Sequence, residues 1–143
     1  MLLVSAHWGP NWGYRPSPRH PPFARALIDA GADIVYGHSC HVFQGIEIYR
    51  GKPILYSTGD FVDDYAVDPK EGNDRSFIFV VDVAGHAVRG LRLYPTTIAH
   101  MQARRARGSE AEAIAVTMIE LSAELGTKAQ WEPEVETLHV PVV

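Results

Sequence analysis

The chain has a single cysteine, Cys40, in 143 residues, so it can form no internal disulfide and carries no mark of an oxidising compartment. A cytoplasmic location is the expectation that follows. Positive charge is also scarce. Lys and Arg number 13 against 17 Asp and Glu, a net charge of −4 with His neutral, which removes the electrostatic footprint of a nucleic-acid or anionic-membrane binder. The one local exception, Arg104-Arg105-Ala106-Arg107, has no interleaved aromatic residue to stack on bases and reads as a solvated loop. No apolar run approaches the roughly 18 residues of a membrane helix, and Met1-Leu2-Leu3-Val4 is far too short for a signal-peptide core. No membrane segment and no nucleic-acid partner are therefore expected. Internal repeats are absent too, and the only biased stretch is Arg15-Pro16-Ser17-Pro18-Arg19-His20-Pro21-Pro22. What the chain does have is 46% hydrophobic residues, ample for the core of one domain at this length.

Leu2-Leu3-Val4-Ser5-Ala6 reads as a short buried strand, followed by the Gly- and Pro-punctuated loop His7-Trp8-Gly9-Pro10-Asn11-Trp12-Gly13. Pro21-Pro22 opens a helix with Phe23, Ala26, Leu27 and Ala30 on one face, and Gly31 closes it. Ile34-Val35-Tyr36 is the next strand. Strand, helix and strand make a βαβ unit with a right-handed crossover and parallel strands, so His7 and His38 should emerge on one edge of the sheet. Gly37 is expected to let the backbone turn sharply there, placing His38-Ser39-Cys40-His41 at the strand end, where α/β folds bind ligands. Two readings fit such a histidine pair: turn residues bonded to backbone, or metal and acid–base chemistry.

Ile46 to Tyr49 and Pro53 to Ser57 form a hairpin about Arg50-Gly51-Lys52. Asp60, Asp63 and Asp64 then crowd the segment just past a strand end, as solvated turn formers or as ligands. A polar loop over 68–74 leads to a second hairpin, Ser76 to Val83 and Ala87 to Tyr94 about Gly85-His86, which Pro95 should end. The run Phe77-Ile78-Phe79-Val80-Val81 is apolar enough to require cover on both faces. Ser109 and Glu112 have the spacing of a capping box for a helix with Ile114, Met118, Leu121 and Leu125 on one stripe. Trp131 and Thr137 to Val140 would add a last edge strand.

Four blocks, taken in order, resemble a known family. They are Val4-Ser5-Ala6-His7-Trp8-Gly9-Pro10-Asn11, Ala30 to Val35 with Gly37-His38-Ser39-Cys40-His41, Gln44 to Tyr49, and Tyr56-Ser57-Thr58-Gly59-Asp60-Phe61. Across residues 2–95 the chain is similar to the CapA family of capsule and poly-γ-glutamate biosynthesis, a branch of the calcineurin-like metallophosphatase superfamily. The resemblance implies an α/β fold, the C-terminal part of an α-β-β-α sandwich: a mixed sheet with a βαβ unit, two hairpins and a C-terminal helix, core motifs in 1–95 and a helical tail in 96–143.

It also implies a site. His7 and His41 match the family's metal-ligand histidines. His38 would serve in a branch spelled Gly-His-Ser-x-His, whereas the commoner His-Pro-His spelling puts that histidine where this chain has Ser39. Asp60, with Asp64 close by, stands where many members have Asn and would orient a ligand or water. The family's Asp-bearing strand and Asn-Asn-His block would precede Leu2, so the resemblance implies one N-terminally incomplete domain over 1–143. The three imidazoles could hold one divalent ion, manganese, zinc or iron, whereas two adjacent cations would lack a bridging carboxylate.

Three functions follow as expectations. The first is the C-terminal part of a CapA-type protein, a metallophosphatase-like hydrolase when complete, with His7, His38 and His41 binding metal and a phosphorylated or polymer-precursor small molecule as substrate. The second is a non-catalytic accessory or binding protein of polymer biosynthesis. The third is an unrelated single-metal hydrolase built on the same histidines. An incomplete sheet would also expose apolar area, so self-association or pairing with a complementary N-terminal half is expected.

Overall fold

The computed structural model describes residues 1–63 and 66–142. The chain runs β1 (Leu3–His7), α1 (His20–Asp29), β2 (Ile34–His38), β3 (Ile46–Tyr49), β4 (Lys52–Leu55), β5 (Arg75–Ala84), β6 (Ala87–Ala99), β7 (Gln102–Arg105), α2 (Gly108–Glu124), β8 (Gln130–Glu132) and β9 (Thr137–Pro141). These strands form two sheets, ordered β1-β2-β4-β3 and β5-β6-β9-β8, with β7 paired to β6. The α/β sandwich and both hairpins are as expected. β1, β2 and β4 are parallel and β3 is antiparallel to β4, so the first sheet is mixed and the βαβ unit is present.

Each face of the first sheet has its own core. On one, α1 packs Ala24 and Ile28 against Val35, Ile54 and Tyr56. On the other, Ile34, Phe43, Ile46 and Leu55 meet Phe77, Leu91 and Leu93 of the second sheet and Ile114 and Met118 of α2. Fully burying side chains of this kind stabilises a fold by about 1.5–3 kcal/mol each. The buried face of α1 is not the expected one. Phe23 is exposed, and Ala24 and Ile28 point inward, because β1 and β2 lie on that side of the helix.

Several ends differ from expectation for identifiable reasons. Ser109 makes no capping bond; instead the Glu136 carboxylate accepts the Gly108 N–H at 2.7 Å and pairs with Arg107, capping α2 from a distant turn. Pro95 lies within β6 opposite Phe77, and the strand continues to Ala99. Residues 96–143 are not simply helical, since strands flank α2 on both sides. β9 is interior, between β6 and β8, so β8 is the edge that β9 was expected to be.

The first sheet's two edges are treated differently. At β3, the N–H groups of Ile46 and Ile48 donate to the hydroxyls of Ser122 and Thr127, so α2 and the residues after it seal that edge. β1 and β5 end their sheets. Near them Leu3, Phe61 and Ile78 are 52%, 49% and 40% exposed, so β5 lacks the two-sided cover its composition led us to expect.

Candidate metal centre

Parallel pairing fixes the first part of the site. β1 and β2 are in register with His7 opposite His38, and the two Nδ1 atoms lie 3.3 Å apart. Ser5, two residues back on the same face of β1, puts its hydroxyl 3.2 Å from His38 Nε2. Close packing rather than a turn explains Gly37. A Cβ there would sit 2.2 Å from the Tyr56 carbonyl oxygen and 2.6 Å from Trp8 Nε1. The sharp turn expected at Gly37 falls instead on Ser39, whose φ of 112° is a left-handed conformation rare for a residue with a side chain.

That turn carries His41 to a second group. Its N–H donates to the Asn11 carbonyl at 2.8 Å and its carbonyl accepts from the Asp60 N–H at 3.3 Å, tying three loops together where β1, β2 and β4 end. His41 Nδ1 lies 2.9 and 3.1 Å from the two carboxylate oxygens of Asp60. Gly59, with φ of 68°, lets the segment turn here, and a Cβ on it would meet the Phe43 nitrogen at 2.8 Å. One ligand atom each from His41, Asp60 and Asp63 falls within 4.8 Å of the others. Burial pushes the Asp60 carboxyl above its ordinary pKa, and the bond to Asp63 pushes it the same way; His41 and Asn73 oppose them.

The histidines and carboxylates therefore sort into two groups among the described residues. His7 pairs with His38; His41 joins Asp60 and Asp63. Asp64 lies outside the described residues. Sequence reasoning passed over two participants. Asn73 is buried and reaches Asp60 Oδ2 at 3.4 Å while its carbonyl oxygen accepts the Asp68 N–H. Trp12 sets its ring 5.1 Å from that of His41. Only the Asx-like polarity of the 68–74 loop hinted at the first, and nothing in residue spacing pointed to the second.

The donor set suits a cation. One imidazole and two carboxylates, partly buried and close together, match the mixed nitrogen and oxygen ligation of manganese, zinc or iron, and leave positions open to solvent.

An α/β sandwich gathers these histidines and carboxylates where parallel strands end, the position at which α/β folds place their ligand sites. The match to the family described as bacterial capsule synthesis protein PGA_cap spans residues 1–65, which contain all five of these side chains. The chain is 40% identical over 139 residues, 94% of its length, to a probable polyglutamine synthesis accessory protein of Mycobacterium tuberculosis (strain H37Rv), and covers 37% of that protein. It is 45% identical over 64 residues to the capsule biosynthesis protein CapA of Bacillus anthracis, covering 45% of this chain and 16% of that one. Over 64 residues it is 47% identical to the PGA biosynthesis protein CapA of Bacillus subtilis, covering 45% of this chain and 17% of that one. The chain belongs to the CapA family of bacterial capsule and poly-γ-glutamate biosynthesis proteins. It spans little more than a third of the length of the relative it matches along nearly its whole extent.

Proposed function

We propose that this chain contributes a divalent-metal site to a CapA-type protein and that the whole protein acts on a phosphoester, the metallophosphatase-like chemistry of its wider superfamily. The observation that carries the reading is the His41, Asp60 and Asp63 group within 4.8 Å. These three side chains would hold the ion, and His7 and His38 would supply a second donor pair at the same sheet edge. A bound ion would polarise a phosphoryl oxygen and make water a better nucleophile.

The chain's own residues do the remaining work. Asn73 holds the Asp60 carboxylate against His41. The 3.3 Å approach of His7 Nδ1 and His38 Nδ1 lets one ring donate to the other, which fixes the two imidazoles relative to each other. Ser5 restrains His38 from its other ring nitrogen.

A second reading, a non-catalytic accessory protein, is favoured by the name of the M. tuberculosis relative, an accessory protein. Partners in either case would be a complementary polypeptide or a second copy, together with a phosphorylated or polymer-precursor small molecule. Hydrolysis of bis(p-nitrophenyl) phosphate by the whole protein with manganese or zinc separates the readings. Turnover abolished by His41→Ala supports the enzyme. Saturable metal binding without turnover supports the accessory role.

A further inference from the structure

Beside His41 lies a cavity of about 320 Å³ lined by Asn11, Trp12, His41, Ala66 and Asn73. We propose that it is a subsite for a neutral, hydroxyl-bearing ring, a sugar carried by the phosphoester, with Trp12 as its stacking wall. The role of the subsite rests on the phosphoester reading above; the binding does not.

Trp12 is held in place yet left uncovered. Its loop is pinned by the His41 N–H on the Asn11 carbonyl and by Gln44 Nε2, which donates to the carbonyls of Gly13 at 2.8 Å and Arg15 at 3.1 Å. Nevertheless the Trp12 side chain is 41% exposed and belongs to neither hydrophobic core. Large aromatic side chains normally bury their area, and a fixed, exposed indole face is the surface on which the C–H face of a ring gains contact at little entropic cost. Among the described residues neither the Trp12 indole N–H nor the Asn11 carboxamide is hydrogen-bonded, which leaves both for ring hydroxyls.

Charge and size narrow the occupant. Away from His41 the described residues of the wall are Asn11, Trp12, Ala66 and Asn73, and none of these carries a charge that would hold a phosphate. The volume stands at the small end of ligand pockets, about 300–1,000 Å³, which suits one ring rather than a chain of them. Position gives the subsite its function: His41 forms one wall of the cavity and one corner of the metal group, so a ring seated on Trp12 places its phosphoryl substituent toward Asp60 and Asp63.

The test uses the full chain labelled with ¹⁵N and follows its indole N–H signals. There are three tryptophans, and the Trp12 signal is the one lost in Trp12→Phe. Methyl α-glucoside is expected to shift the Trp12 signal saturably and leave those of Trp8 and Trp131 in place. Trp12→Ala should weaken glucoside binding by at least about fivefold, about 1 kcal/mol, with Trp12→Phe recovering part of the loss. A motionless Trp12 signal, or stronger binding of adenosine or inorganic phosphate at Trp12, overturns the proposal. A final titration with glucose 1-phosphate separates the two claims. If added zinc leaves its affinity unchanged while the glucoside still binds, the phosphoester reading and the assigned role fail but the sugar site stands.

Discussion

Replacing Gly37 by Ala tests whether close packing at the end of β2 sets the site. The φ of Gly37 is not in the left-handed region, so alanine suits the backbone, and removing a glycine from such a position ordinarily stabilises by about 0.4–1 kcal/mol through the unfolded state. Here the new Cβ would lie 2.2 Å from the Tyr56 carbonyl oxygen, 2.6 Å from Trp8 Nε1 and 2.8 Å from the Leu55 carbonyl oxygen. Two of those atoms are backbone of the neighbouring chain segment, so relief requires β2 and β4 to part and breaks the bond from Trp8 Nε1 to Tyr56, now 2.9 Å. Overpacking of this kind costs about 1–3 kcal/mol, and two backbone clashes put the expected loss near the upper end. Gly90→Ala is the control. Its Cβ would meet the Val140 carbonyl oxygen at 3.2 Å, a contact that relaxes with a small shift, so its loss should stay under about 1 kcal/mol. Urea unfolding supplies both values, and thermal midpoints should fall by about 3–5 °C per kcal/mol for a chain of this size. A Gly37→Ala protein as stable as the parent, or one no less stable than Gly90→Ala, refutes the packing account of this glycine.

Tyr56→Phe removes the hydroxyl that donates to the buried Glu47 carboxylate, leaving Arg25 as that carboxylate's remaining partner. A stability loss of about 1–2 kcal/mol in urea unfolding is expected; none would show that the Arg25 pair suffices. Glu136→Gln should lower the thermal midpoint at neutral pH, because Arg107 and the Gly108 N–H hold the Glu136 carboxyl below its ordinary pKa. With a depressed folded-state pKa this stabilisation is present above the unfolded carboxyl's value and disappears as pH falls through the folded one. The midpoints of parent and variant should therefore converge in acid, and a constant difference would contradict the cap. Exposed apolar side chains near β1 and β5 should make the chain associate at raised concentration in sedimentation velocity. Ile78→Lys should reduce that association, and a parent that remains monomeric throughout would remove the edge argument.

The sequence made the parallel pair legible because two apolar strands around a short helix admit only one handed crossover, and this alone set His7 opposite His38. It also showed that Asp60 and Asp63 crowd a strand end. It did not show that His41 would pack against those carboxylates. That depends on Ser39 taking up the turn, and on bonds from Asn11 and Asp60 that join segments far apart in the chain. The α2 cap failed to be read for the same reason. Ser109 has the local spacing, but Glu136 reaches Gly108 from 28 positions away and wins. Gly37 was read for its freedom when its lack of a side chain is what the packing requires.

Binding of manganese to the purified chain, followed by loss of the free-ion electron paramagnetic resonance signal, tests the metal site most directly. The arrangement of His41, Asp60 and Asp63 predicts saturable binding that His41→Ala and Asp60→Asn each abolish and that His139→Ala, at the far sheet, leaves intact. Circular dichroism of each variant should match that of the parent, so that lost binding is not lost folding. No saturable binding, or binding that survives both site substitutions, would contradict the assignment.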